Sequence, residues 1–201
     1  DVVGPVTLSR NMAYYGANVD DDDVRPREMV TEAVDLADQQ LGVDFSQYDN
    51  DGDGYIDNIF IYYAGYNEAE GGPDNTIWPH AWSIYNQRTV DGVKTGSYAC
   101  SSELRGSSGS TMAGIGTFCH EFGHVIGLPD FYDTDYEDNG EARGLGSFSL
   151  MSNGNYNNNG RTPPYLNSIE RDLLGWFDNE PGVIEQEGDY TLEPVFENSC
   201  Y

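Results

Sequence analysis

Two of the three histidines in this chain of 201 residues stand four apart in the stretch TFCHEFGHVIGLPD, Thr117 to Asp130, with a glutamate directly after the first. Positions i and i+4 of a helix lie ~40° apart around its axis, so His120 and His124 can turn both imidazoles toward one ion. Neutral imidazole suits zinc, and a catalytic zinc keeps three protein ligands and one open position. Glu121 projects to the side of the pair, where a carboxylate reaches a metal-activated water without ligating the metal, which is the place of a general base. Gly127 follows His124 by three positions, where a left-handed residue ends a helix and swings the chain back. Asp130 comes three residues later, a carboxylate able to close the coordination. Two other sources of a third ligand compete with it. His80 lies far upstream between Trp78 and Trp82 and reads as a packed, hydrogen-bonded histidine. Glu137 or Glu141 would serve a plan in which a later helix supplies a glutamate. Both sit in a stretch without helical periodicity, and that plan leaves Gly127 without a role. Asp130 is the stronger candidate.

A second cluster suits a harder cation. DNDGDGYID, Asp49 to Asp57, carries carboxylates at Asp49, Asp51, Asp53 and Asp57, with Gly54 at the sixth position. Alternate acidic residues around a glycine turn wrap calcium with oxygen ligands, and the carbonyl of Tyr55 falls at the seventh position. The twelfth position, where an EF-hand has a bidentate glutamate, is Phe60, and the chain runs on into IFIYYAG rather than a helix. The reading is a structural calcium loop without the EF-hand fold, since carboxylates so close repel one another unless a cation intervenes. DFYDTDYEDNG, Asp130 to Gly140, is a weaker signal for a further cation.

The elements that must position these groups are legible in part. RPREMVTEAVDLADQQLG has Met29, Ala33, Leu36, Ala37 and Leu41 at helical spacing, Pro26 at its start and Gly42 at its stop. Tyr55 to Gly65 is β-branched and aromatic and predicts a central strand, with further strands near 78–84 and 96–101. Gly4 to Gly16 reads as a strand and turn. A helix carries the histidines and ends at Gly127, residues 131–160 read as loop, and PPYLNSIERDLLGW predicts a helix with Leu166, Ile169, Leu173 and Leu174 on its apolar face. Gly182 to Phe196 suggests two short strands.

Length suits one domain with a sizeable core, and 38% hydrophobic residues with 13% aromatics exclude general disorder. The net charge of −26, with Lys94 the single lysine, argues against nucleic acid and anionic lipid as partners. No apolar run approaches membrane-spanning length, so membrane insertion is not expected. The chain opens at Asp1 without a basic, apolar leader and reads as a mature form. Of Cys100, Cys119 and Cys200, the first two could bridge, or Cys119 could be a small apolar residue on its helix.

The pattern H-E-x-x-H-x-x-G-x-x-D is similar to the metzincin arrangement, in which the helix turns at a glycine and the next ligand returns to the metal. Met151 in SFSLMSNGNY stands where metzincins place the methionine of a tight turn beneath the metal. Some metzincins have a tyrosine two residues after that methionine. Here the position is Asn153, and Tyr156 lies farther on. CHEFGHVIGLPDFYDTD, GSFSLMSNGNY and PPYLNSIERDLLGW resemble the immune inhibitor A family of secreted bacterial metallopeptidases. VDFSQYDNDGDGYIDNIFIYYAG and IWPHAW resemble that family's upstream half, so the likeness covers roughly residues 4–195.

The resemblance implies an α+β catalytic domain of metzincin type, a twisted mixed sheet with an active-site helix and a C-terminal helix. It implies one domain over 1–201, with subdomains of about 1–127 and 128–201. The activity implied is that of a secreted, monomeric zinc endopeptidase stabilised by calcium, made with a signal and propeptide absent here and acting on proteins or peptides. His120, His124 and Asp130 are then the zinc ligands, Glu121 the catalytic base, and Ser101 to Leu104 the edge strand that pairs with substrate backbone. The alternative is a calcium-stabilised extracellular binding domain with a non-catalytic zinc site.

Overall fold

The longest helix forms where apolar spacing and its end signals agree. α1 (Met12–Tyr15), β1 (Asn18–Val19) and β2 (Asp22–Asp23) precede α2, which spans Pro26–Leu41. Proline opens α2, and Gly42 closes it at φ 67°, donating to the carbonyls of Ala37 and Asp38. Its buried face is Met29, Val30, Ala33, Val34 and Ala37. Each of the larger ones contributes about 1.5–3 kcal/mol on leaving water. In the computed structural model, residues 1–20, 22–135, 137, 142, 144–177 and 185–191 are described.

A three-stranded mixed sheet lies in the same unit as α2. β3 (Phe60–Tyr63), β4 (His80–Ser83), the small hairpin β5 (Thr89–Val90) and β6 (Val93–Lys94), and β7 (Ser97–Ser102) follow in order. The sheet order is β3-β7-β4. β3 runs parallel to β7 from Phe60 opposite Ala99 to Tyr63 opposite Ser102, and β4 runs antiparallel with His80 opposite Cys100. β7 is therefore the central strand, buried from Tyr98 to Ser102. Two expectations change. The central strand is not Tyr55–Gly65, of which only Phe60–Tyr63 joins the sheet. The edge expected at Ser101–Leu104 is not a separate strand: Ser101 and Ser102 end β7, paired with Tyr62 and Tyr63 on one side, while the pairing with β4 on the other stops at Cys100. Tyr15, Met29, Val30, Val34, Phe45, Ile59, Tyr63 and Tyr98 share the core of this unit.

Residues 4–16 form no strand. The Asn11 side chain accepts from the Tyr14 amide and caps α1 instead. His80 bonds the Trp78 carbonyl at 2.6 Å and the Tyr98 hydroxyl at 2.7 Å, as a packed histidine does. Neither Cys100 nor Cys119 is in a disulfide. Cys200 lies outside the described residues, and so does most of the tail read as two strands, whose residues 185–191 are not strand.

The chain divides into two compact units, Asp1–Ala113 and Gly114–Tyr201, so the helix bearing the histidines groups with the second rather than the first. That helix, α3 (Ile115–Val125), is followed by 3-10 turns at Gly146–Phe148 and Asn153–Tyr156, by the single turn α4 (Asn157–Gly160) and by α5 (Ser168–Leu173). The stretch 131–160 is thus partly ordered into turns rather than being loop throughout. The architecture is α+β with a small mixed sheet, and among the described residues no helix is long and apolar enough to cross a membrane.

α3 seats against residues 153–160 through glycines. A Cβ on Gly116 would stand 1.8 Å from the Asn155 carbonyl oxygen, and one on Gly114 2.2 Å from the Gly160 carbonyl carbon. Backbone cannot yield as a side-chain tip does. Gly116→Ala is expected to destabilise the protein by about 1–3 kcal/mol through overpacking. The check is the urea midpoint, and an unchanged midpoint would contradict this packing.

Candidate metal centre

α3 turns His120 and His124 the same way, and the chain after it is bent back by Gly127. Gly127 has φ 105°, its amide bonds the His124 carbonyl at 3.0 Å, and the Leu128 amide bonds the Gly123 carbonyl at 2.9 Å. That turn delivers two groups to the histidines. The Leu128 carbonyl accepts from His124 Nδ1 at 2.8 Å, and Asp130 Oδ1 lies 3.3 Å from Nε2 of both His120 and His124. The Leu150 carbonyl holds His120 Nδ1, also at 2.8 Å.

These bonds settle the tautomers. A carbonyl only accepts, so each Nδ1 carries the hydrogen and each Nε2 of the neutral ring presents a bare lone pair. Asp130 Oδ1 is buried and makes no hydrogen bond. Two lone pairs and a carboxylate oxygen therefore converge with no proton of their own between them, and the three ligand atoms lie within 4.8 Å of one another. Atoms around a tetrahedral ion with bonds of ~2.0–2.1 Å stand ~3.3 Å apart, and 3.3 Å is the separation of Asp130 Oδ1 from each nitrogen. The residues fit a zinc ion.

The electrostatics agree. Burial by itself would lower the pKa of His120 and His124, but attraction to Asp130, with a contribution from Glu121, outweighs it and raises both. Burial would raise Asp130, yet the two imidazoles hold it well below the usual carboxylate range. The Asp130 carboxylate therefore favours positive charge beside it. Glu121 is buried at 7% exposure beside His120, outside the three converging groups but close enough for its charge to act on both imidazoles. Glu137 and His80 are not in the cluster, and Glu141 lies outside the described residues.

Met151 is fully buried. It packs against α3 where Gly123 leaves room, since a Cβ there would meet its Sδ at 2.5 Å. Its carbonyl accepts from the Phe131 amide at 2.7 Å, one residue past Asp130. Tyr156 is 42% exposed. Cys119 packs with Phe131, Leu166 and Leu174 around Leu128, Leu150 and Met151. α5 departs from expectation: Ile169 and Leu173 are more than half exposed, and its buried residue is Glu170. The helix is only one and a half turns long, so its apolar spacing never becomes a face. The Asn-x-x-Glu spacing at 167–170 marks the helix start, but no sequence signal indicates where the Glu170 carboxylate goes.

In the acidic loop, Asp49, Asp51 and Asp57 each bring one oxygen into a group within 4.8 Å. Asp53 is not in that group, its Oδ1 accepting from the Tyr55 amide at 2.8 Å. Gly54 bonds Asp49 Oδ2 at 3.1 Å, while Asp49 Oδ1 is buried without a partner. Bonds from Lys94 N to the Gly54 carbonyl and from Ile56 N to the Lys94 carbonyl, both 2.9 Å, tie the loop to β6. Those bonds take Tyr55 and Ile56 out of the expected strand. In 130–140, Asp133 and Asp135 accept from nearby backbone amides, and several of these residues lie outside the described set.

Comparison with known proteins bears on this centre. The family model described as immune inhibitor A peptidase M6, catalytic domain, matches residues 1–180. The chain is 30% identical over 170 residues to "Pre-pro-metalloprotease PrtV" of Vibrio cholerae serotype O1 (strain M66-2), covering 74% of this chain and 18% of that protein. It is 31% identical over 151 residues to "Immune inhibitor A" of Bacillus thuringiensis subsp. alesti, covering 65% of this chain and 22% of that protein. The chain thus spans about a fifth of the length of the curated relatives it matches.

The turn at Gly127 carries a strained backbone that glycine alone relieves. No atom lies within 4 Å of a Cβ built there, so Gly127→Ala introduces backbone strain and no clash. A destabilisation of about 1–3 kcal/mol is expected, with weaker zinc binding, because the displaced turn carries both the Leu128 carbonyl and Asp130. Thermal unfolding and a zinc titration check this, and a variant equal to the parent in both would contradict it.

Proposed function

The chain belongs to the immune inhibitor A peptidase M6 family, and from that premise we propose that it is the catalytic part of a secreted zinc endopeptidase of metzincin type. It acts as a monomer on proteins or peptides. The observation that carries the reading is the convergence of two bare Nε2 lone pairs and the unpartnered Asp130 Oδ1, 3.3 Å from each. Secretion is supported by the strongly acidic composition and the calcium-type loop, and by the pre-pro designation of one relative.

His120, His124 and Asp130 would hold the metal. Zinc held by them would supply a Lewis acid to polarise the scissile carbonyl and acidify water. Glu121 accepts the proton of the attacking water on its carboxylate and delivers it to the leaving amine nitrogen. Asp130 brings a full negative charge where a third imidazole would bring none, which leaves less positive charge to acidify the water and more of the proton transfer to Glu121. Met151, packed against Gly123, supports the turn of α3 on which His124 sits. Asn153 stands where some metzincins have a tyrosine, so no phenol is assigned a part in the reaction.

Asp49, Asp51 and Asp57, with the Tyr55 carbonyl, are proposed to bind a structural calcium, and Asp53 shapes the loop by fixing the Tyr55 amide. A cation there offsets the repulsion of the carboxylates and partners the buried Asp49 Oδ1.

Hydrolysis of denatured casein tests the main reading. Activity should vanish with a zinc chelator and return with zinc added in calcium buffer, while Glu121→Ala should bind one zinc per chain and lose at least about 100-fold in rate. A Glu121→Ala variant cleaving at near-parental rate would sink the proposed mechanism. For the calcium loop, calcium at about 100 times its dissociation constant should stabilise the protein by about 2.7 kcal/mol, and Asp51→Ala should remove that response. A melting temperature that rises equally with calcium in both proteins would rule out this site.

A further inference from the structure

Glu170 is 0% exposed, and no cation pairs with it among the described residues. Its oxygens are instead met by three donors. Oε1 accepts from the Ser149 hydroxyl at 2.6 Å and the Met151 amide at 3.2 Å, and Oε2 accepts from the Asn167 amide at 2.7 Å. A buried carboxylate persists only where such donors satisfy it, and two of these three belong to the turn at 149–151. Two consecutive carbonyls of that turn reach the metal centre: Leu150 holds His120 Nδ1, and Met151 holds the amide of Phe131, next to Asp130.

We infer that Glu170 is a positioning residue for the metal centre: by clamping the turn Ser149–Met151 from beneath, it sets the ring of His120 and the path of the chain that carries Asp130. The inference rests on the zinc reading above. A purely apolar residue could fill the same volume, and a helix cap needs only the Asn167 bond. The bonds to Ser149 and Met151 serve neither purpose. They fix the position of the Leu150 carbonyl, and with it the direction of the Nε2 lone pair of His120. Partners one step behind a metal ligand act in this way on ring orientation and basicity.

Glu170→Met keeps much of the volume and removes both acceptor oxygens. The Ser149 hydroxyl and the Met151 amide lose their acceptor together, so the turn is no longer held, and the Asn167 amide loses its partner as well. The expected result, in folded protein well below its melting temperature, is a zinc dissociation constant raised about 10–100-fold in chelator competition, with a shifted absorption spectrum of the cobalt-substituted protein. Asn167→Ala is the control. It removes the side-chain cap of α5, which accepts from Ile169 N at 3.0 Å and Glu170 N at 3.1 Å, but leaves the Asn167 amide bonded to Glu170. It should lower stability and leave zinc affinity and the cobalt spectrum as in the parent. Equal zinc affinities in Glu170→Met and the parent, or equal losses in Glu170→Met and Asn167→Ala, would overturn the inference. If Glu170→Met does not fold, Ser149→Ala, which deletes one donor, carries the test: a several-fold weaker zinc affinity supports the inference and an unchanged one overturns it. Zinc binding by His124→Ala as tight as in the parent would remove the zinc reading itself, and the inference with it.

Discussion

Two backbone carbonyls, those of Leu128 and Leu150, decide which nitrogen of each imidazole faces Asp130. Without them each ring could present either nitrogen, and a neutral ring showing N–H to the carboxylate would simply be a hydrogen-bonded histidine. With them, three acceptors face one another across a space sized for a small cation. The local features of the second unit follow from this constraint. Gly127 bends the chain so that the Leu128 carbonyl and Asp130 both return to α3, Gly123 admits Met151 against the helix, and Gly116 lets α3 lie on the backbone at Asn155. Three glycines in and just after one helix are costly in helix propensity, and two of these have close-approach partners that account for them.

How far the sequence predicted the centre depended on the range over which each determinant acts. The i, i+4 histidines, the glycine three residues on and the aspartate three after that all lie within one helix and its return. Their spacing alone therefore implies convergence, and the structure brings them to 3.3 Å. α2 was legible for the same reason, because its periodicity and both end signals are local. Glu170 was not. Its function depends on a helix placed beneath a turn some twenty residues earlier, and the same Asn-x-x-Glu spacing would be found in a helix whose glutamate merely caps itself. The apolar residues of α5 misled in the opposite direction, since periodicity marks a buried face only when the helix is long enough to lie against something.

The sheet and the acidic loop show a second limit. Tyr55–Gly65 has strand composition throughout, but its first part is committed to the loop, where Asp49 and Asp53 bond backbone amides of Gly54 and Tyr55. Turn chemistry there overrides β propensity. Which strand is central is a matter of pairing between distant segments, and β7 takes that place with small residues, Ala99, Cys100, Ser101 and Ser102, that composition alone would not single out. The four regularly spaced carboxylates also divide by role: three converge, and Asp53 turns to the backbone.

Zinc K-edge X-ray absorption on the zinc-loaded protein reads the atoms around the metal directly. Two histidines and an aspartate give nitrogen and oxygen neighbours only, at about 2.0–2.1 Å, with outer scattering that fits two imidazoles. A third imidazole, which would have to come from His80, or a sulfur at about 2.3 Å, for which Cys119 is the nearby thiol, would contradict this ligand set.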